Sequence, residues 1–238
     1  MSYQSVILAA SGKNNFVGSF KKCTFLVNPK MNLLKAATLT NDTASNIVVA
    51  LNTDEYDFFQ SFEFNDNTSL VEIRNKTRGA LATSGLCLDK LNNDAPIVIQ
   101  SVDGLCFDLM DKFVKEMQRN SADGGVVVFP SNDPKYSYVR VTENKPIEFA
   151  EKQLIGELAT AGIFYFKSKE LLIDSILWAI LFQIKYMDNY YLSSAMNKLV
   201  FEGKNVSLYR INEESYFRFA TEDEALDARE RLGNRNFG

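Results

Sequence analysis

The chain has 238 residues, 46% of them hydrophobic and 24% charged, with a formal net charge of −4. This composition excludes collagen-like, low-complexity and disordered classes, and the acidic balance gives no global field for nucleic acid or an anionic membrane. Histidine is absent altogether, which excludes Ser-His-Asp and Cys-His triads, imidazole acid–base work and histidine-ligated zinc.

Read in order, the chain predicts a buried strand over Ser5–Ala10 that runs into a Ser11-Gly12 loop. Met31–Leu39 reads as a helix, Asn46–Leu51 as a strand, Asp54–Phe62 as a helix and Leu70–Arg74 as a strand. A helix is expected over Arg78–Leu91 and a strand over Pro96–Val102. Phe107, Met110, Phe113, Val114 and Met117 recur at helical spacing, and Gly125–Phe129 is a valine-rich strand. Continuous apolar strands alternating with helices argue for a parallel sheet covered on both faces.

The second half differs. Tyr136–Thr142 and Ile147–Glu151 read as two arms of an antiparallel hairpin joined by a turn at Glu143-Asn144-Lys145-Pro146. A dense strand at Thr160–Phe166 is followed by helices near 169–186 and 190–203. Val206–Ile211 and Tyr216–Phe219 read as short strands, and Thr221-x-x-Glu224 is a capping box opening a last helix. The expected fold is α/β: a Rossmann-like, mostly parallel sheet flanked by helices, with an inserted antiparallel hairpin. We expect a single domain over 1–238, in two halves at 1–130 and 131–238.

Cys23, Cys87 and Cys106 are odd in number and show no CxxC, so reduced thiols in a cytoplasmic setting are expected. The N-terminal residues lack a basic n-region ahead of their short apolar run. The greasiest stretch, Leu171–Ile184, is too short for a membrane span and reads as a buried core helix, with a homo-oligomer interface as the alternative.

Ligands of open α/β sheets sit beyond the carboxyl ends of the strands. Three connections leave such ends here: Ser11–Ser19, Asn52–Thr53 and Asp103-Gly104. Asp103 ends an apolar strand, where a carboxylate either holds Mg²⁺ or simply serves as a turn or cap. The Ser11-Gly12-Lys13 loop offers backbone N–H groups and one cation to phosphate, but it is neither a Walker A nor a GxGxxG loop.

Together these segments resemble the sugar-phosphate nucleotidyltransferases, or nucleoside-diphosphate-sugar pyrophosphorylases. Thr77-Arg-Gly79-Ala80-Leu-Ala-Thr83 is similar to their T-x-G-A-x-x-T segment. Pro96–Asp103 resembles their strand ending in the metal-binding aspartate, and Ile147–Lys152 the segment leading to their Glu-Lys pair. Ala159–Phe166 resembles their A-T-A-G-I-Y-Y-F strand, and Phe219-Ala-Thr221 a late G-T segment.

The resemblance implies a nucleotide-diphospho-sugar transferase fold, with 1–130 the nucleotide-binding half and 131–238 the sugar-phosphate-binding half, and an enzyme that joins an NTP to a phosphorylated sugar or small alcohol, releasing pyrophosphate. Its expected nucleotide-binding residues are Ala9, Ala10, Ser11, Gly12, Lys13, Thr77 and Gly79. Glu151, Lys152, Gly162 and Asn189 would bind the sugar phosphate, with Lys152 and Asp103 catalytic. Mg²⁺ is the expected cofactor, on Asp103 with Asp188 as a substitute second ligand, because the second metal carboxylate falls near Ala195. Neither a nucleic-acid partner nor a membrane span is expected.

The chain also departs from the pattern. The family loop L-A-A-G-x-G-x-R stands as Leu8-Ala9-Ala10-Ser11-Gly12-Lys13-Asn14-Asn15, so its arginine is Asn15, and the lysine of its K-P-L segment is Thr24. Lys13, Lys21 and Lys22 are the cations nearby. Two alternatives follow: a degenerate nucleotide-sugar-binding regulator, and a nucleotide-sugar-dependent glycosyltransferase. The latter generally uses Asp-x-Asp where this chain has Asp103-Gly104-Leu105.

Overall fold

The computed structural model describes residues 2–10, 16–17 and 20–233. The first strands and helices are β1 (Gln4–Leu8), β2 (Phe16–Val17), β3 (Phe20–Lys21), β4 (Leu26–Asn28), β5 (Met31–Asn32), α1 (Leu33–Leu39), β6 (Asn46–Asn52), α2 (Thr53–Phe59) and β7 (Thr68–Ile73). They are followed by α3 (Ala80–Gly85), β8 (Ile97–Ser101), β9 (Gly104–Leu105), α4 (Met110–Arg119) and β10 (Gly124–Pro130). The rest are β11 (Tyr138–Thr142), β12 (Lys145–Ala150), β13 (Leu158–Phe166), α5 (Lys169–Leu181), α6 (Leu192–Phe201), β14 (Val206–Arg210), β15 (Phe217–Arg218) and α7 (Glu222–Leu232).

Nine strands form one sheet in the order β12-β11-β13-β8-β1-β6-β7, with β10 on the other edge of β13 and β14 beyond it. β8, β1, β6 and β7 are mutually parallel, and β10 pairs parallel with β14. β13 runs against β8, β10 and β11, and β12 runs against β11. Only β12 and β13 therefore oppose the common direction.

The apolar runs are continuous because both faces are covered. Alternate residues of one strand serve opposite layers. Ile7, Ile47, Val49 and Val98 pack with Leu34 of α1, Phe113 of α4 and Ala228 of α7. Val6, Val48, Ala50 and Ile99 pack with Leu81 of α3, Ile176 of α5 and Met196 of α6.

Most expected elements form, with three corrections. The helix expected over Arg78–Leu91 is only Ala80–Gly85, followed by a 3-10 turn at Leu88–Lys90. Gly79 has φ +97, which keeps it and Arg78 out of the helix. The hairpin turn is the two residues Glu143 and Asn144 (φ +51 and +62), with Lys145 and Pro146 already in β12. Two left-handed residues match the twist of the strands they join.

Third, α5 is not wholly buried. Leu172, Ser175, Ile176 and Ala179 face the sheet, while Leu177, Leu181 and Phe182 are 52%, 75% and 66% exposed. A helix lying on one sheet face buries only a stripe. No helix among the described residues is long and apolar enough to cross a membrane.

Candidate functional site

β8, β1 and β6 are neighbours, and Leu8 registers with both Ser101 and Ala50. The Ala9 N–H donates to the Ala50 carbonyl at 2.9 Å, and the Val102 N–H to the Leu8 carbonyl at 3.0 Å. Ala9, Ala10, Asn52 and Asp103 thus leave the sheet along one edge. Ser11, Gly12, Lys13 and Asn15 lie outside the described residues.

Beside this edge the sheet forks. One side of β13 pairs with β10 along its length. Its other side pairs with β11 at Leu158–Ala159 and with β8 at Ile163–Phe166. Gly162 lies between the two, where the register against β10 shifts. Its φ is +71, and a Cβ there would stand 3.9 Å from the Ser101 Cβ. The left-handed backbone, and not lack of room, is what calls for glycine.

Asp103 is the carboxylate at the end of β8. Lys22 donates from Nζ to its Oδ1 at 2.8 Å. The lysine side chain is 6% exposed and the aspartate 34%. The Phe219 N–H donates to the Asp103 carbonyl at 2.8 Å, which ties the late Phe219–Thr221 segment to this turn. A buried polar chain holds the turn from below. Gln100 donates Nε2 to the Gly104 carbonyl at 2.9 Å and accepts from Asn41 Nδ2 at 2.8 Å, and Ser5 donates to Asn41 Oδ1 at 2.9 Å. Satisfied networks of this kind fix one local arrangement.

Glu151 and Lys152 follow directly on β12. Ser137 donates to Glu151 Oε2 at 2.5 Å, and Ser193 approaches the same oxygen at 3.5 Å. Burial pushes the Glu151 carboxyl above its usual range; the Ser137 hydrogen bond and the Lys152 charge oppose that shift. Lys152 is exposed and has φ +51, a sparsely populated conformation for a side chain of this size. Asn197 of α6 clamps the strand just before them, accepting from the Phe149 N–H and donating to the Phe149 carbonyl, each at 2.7 Å.

Thr77, Gly79 and Asn189 meet elsewhere. The Tyr190 N–H donates to the Arg78 carbonyl at 2.7 Å, and the Leu81 N–H to the Tyr190 carbonyl at 3.1 Å. A Cβ on Gly79 would lie 2.5 Å from the Tyr190 oxygen. Thr77 and Thr83 share a hydroxyl hydrogen bond of 2.6 Å. The close approach at Gly79 is therefore to backbone of the 189–193 strap. That strap continues through Tyr191 to Ser193, and so links the Gly79 loop to Glu151.

Asp188 stands on an exposed turn. Met187 and Asp188 have φ +44 and +61, and Tyr186 and Asn189 exchange two backbone hydrogen bonds of 3.0 Å across them. Lys185 pairs with Asp188 at 2.7 Å and lowers its pKa. Ala195 is fully buried in the core. Among the described residues no group of three Cys, Asp or Glu side chains could hold a metal ion.

Four supporting residues are not singled out by sequence pattern: Ser137 and Ser193 on Glu151, and the Asn41–Gln100 pair under Asp103. Asn197 falls in a segment that the family resemblance covers, but spacing does not predict its partner, Phe149.

No known family profile matches the chain, and no curated protein matches it in sequence. Solved structures do match. A nucleoside-diphosphate-sugar pyrophosphorylase from Vibrio cholerae superposes with a TM-score of 0.80 at 18% identity, covering 95% of this chain and 99% of that one. A Bacillus anthracis structure described as a glucose-1-phosphate thymidylyltransferase gives 0.80 at 17%, over 100% and 98% of the two chains. The inositol-1-phosphate CTP transferase from T. maritima gives 0.72 at 13%, over 97% and 96%. The chain has the nucleotide-diphospho-sugar transferase fold.

Proposed function

We propose that this protein is a nucleotidyltransferase that joins a nucleoside triphosphate to a phosphorylated sugar or small alcohol and releases pyrophosphate. The observation that carries this reading is the forked edge, where Asp103, Gly162 and the end of β1 adjoin, with Glu151 and Lys152 on the other branch. A donor on one branch and an acceptor on the other would meet across the fork. The fold's solved neighbours carry names from the same reaction class.

In this reading Ala9, Ala10 and the Ser11–Lys13 loop cradle the triphosphate, and Thr77 and Gly79 flank the base. Gly162 and Asn189 border the acceptor. Lys152 steers the acceptor phosphate, and Glu151 holds the Lys152 backbone turn in place. An acceptor phosphate oxygen bonds to the α-phosphorus while the bond from that phosphorus to pyrophosphate breaks. The nucleophile is already an anion, so no histidine base is needed. Such transfer rests on positioning and charge.

Magnesium is the cofactor this chemistry ordinarily uses; when bound it neutralises charge on the triphosphate. The described donor set does not fit an ion held by the protein. Asp103 Oδ1 carries the Lys22 ammonium, and Asp188 is engaged by Lys185 on its turn. A cytoplasmic setting suits the substrates and three buried thiols, with Cys87 and Cys106 pushed up to about 12 by burial. The bare apolar stripe of α5 is where a second copy would pack.

Pyrophosphate release with paired NTPs and sugar 1-phosphates is the direct test. The expected result is turnover with one pairing, reduced by about 10²–10³ in Lys152→Ala. Absence of both turnover and any ligand-induced rise in Tm would sink the reading.

A further inference from the structure

We propose that Lys22 is the resident cation of this site, standing on Asp103 in place of a protein-bound divalent metal, so that nucleoside triphosphate binds without one. The inference rests on the nucleotidyltransferase reading and specifies how that site handles charge.

Three observations carry it. First, the ammonium sits 2.8 Å from Asp103 Oδ1, at the end of β8. Second, Lys22 is 6% exposed and Asp103 34%. A metal ion taking Oδ1 would leave a buried ammonium without its partner, and such unpaired charges are strongly disfavoured. Third, among the described residues no group of three Cys, Asp or Glu side chains could hold a metal ion. Mg²⁺ demands near-octahedral oxygen ligands and is usually held by one or two carboxylates together with the substrate phosphates, whereas Asp103 Oδ1 is already engaged by Lys22. The Lys22–Asp103 pair is neutral, so it attracts a divalent ion far less than a bare carboxylate would. Neutralised in this way, Asp103 also no longer repels an incoming phosphate.

Lys22 is held at this spot by local structure. It opens the 3-10 turn Lys22–Thr24, and its carbonyl accepts from the Phe25 N–H at 3.1 Å. Cys23 and Phe25 on either side of Thr24 are buried, which anchors the turn. The cation is thus presented by a fixed backbone and not by a free surface arm.

The test is calorimetric titration of the four common nucleoside triphosphates into wild-type protein, first in EDTA and then in excess Mg²⁺. Lys22→Met, which keeps the side-chain volume, Lys22→Arg, which keeps the charge, and Asp103→Asn are titrated alongside. Far-ultraviolet circular dichroism checks that each is folded. The expected result is wild-type binding that changes less than threefold between EDTA and Mg²⁺. Lys22→Met should bind at least tenfold more weakly in EDTA and recover with Mg²⁺, while Lys22→Arg stays metal-independent. Wild-type binding that requires Mg²⁺, with the requirement removed by Asp103→Asn, would overturn the inference and leave the functional reading intact. No binding of any triphosphate under either condition would overturn both.

Discussion

Asn197 in α6 hydrogen-bonds both the N–H and the carbonyl of Phe149, so a side-chain amide completes the outer edge of β12 as a neighbouring strand would. Leucine at this position has similar size but leaves two backbone groups without partners. Asn197→Leu should lose about 1–3 kcal/mol in urea unfolding. Asn197→Asp keeps the acceptor alone and should fall between wild type and leucine. Both should weaken acceptor binding more than nucleotide binding, because Glu151 and Lys152 follow directly on this strand.

Two left-handed glycines separate conformational strain from collision. At Gly162 an added methyl has room, so Gly162→Ala should cost about 1–2 kcal/mol for the backbone alone. At Gly79 the methyl meets the Tyr190 carbonyl at 2.5 Å, and Gly79→Ala should cost more than that or shift the strap. Thermal unfolding of the two variants side by side checks the order. Equal losses would mean that the loop and strap are not packed as described.

The pH dependence of Glu151 has a definite sign. Burial raises its pKa in the folded state above the unfolded value. The native state therefore favours the protonated form, and that stabilisation is fully present below the ordinary carboxylate range. It is lost as pH rises through the raised pKa. Glu151→Gln cannot ionise and still accepts from Ser137. Its stability relative to wild type should rise as pH climbs from the ordinary glutamate range through the raised pKa, and level off above it. Urea unfolding across that range checks it; a flat difference would contradict the burial of the carboxylate.

The two faces of α5 should respond differently. Ile176 is buried in the layer beneath the sheet, and Ile176→Ala should cost about 2–5 kcal/mol. Leu181 is 75% exposed, so Leu181→Lys should change monomer stability by no more than about 0.5 kcal/mol. Sedimentation of that variant against wild type also reports on a second copy at this stripe: a dimer that the lysine dissolves would identify the contact.

Much of the fold was legible because the sheet is buried on both faces. Val6–Leu8, Ile47–Leu51 and Ile97–Ile99 read as uninterrupted apolar runs, which surface strands do not give. Thr221 and Glu224 form both capping-box hydrogen bonds, at 3.3 and 3.2 Å, because that signal is local. Asn32 and Asn52 also cap helices, but asparagine before a helix is hard to tell from asparagine in a loop.

The site was less legible, for a physical reason. Lys22 and Asp103 are 81 residues apart, and Phe149 and Asn197 are 48. Such pairs exist only once the sheet order is set, and no periodicity encodes them. Gly162 was visible as a glycine within a dense strand, yet nothing local said that the strand changes partners there.

The fork has one more implication, for motion. The β11–β12 hairpin is zipped to β13 at only Tyr138 and Val139, aided by the Thr160 N–H on the Ser137 carbonyl and by the Asn197 clamp. β1, in contrast, is laced on both sides over five positions. Opening free energies differ within a molecule according to such attachments. The hairpin, held to the rest mainly by its packing on α6, should open more readily than the sheet centre, with the amides at Val139 and Phe149 exchanging ahead of those at Val6 and Val48. Its excursions would carry Glu151 and Lys152 outward while Asp103 stayed in place, so the gap between the two branches can breathe without the sheet unfolding.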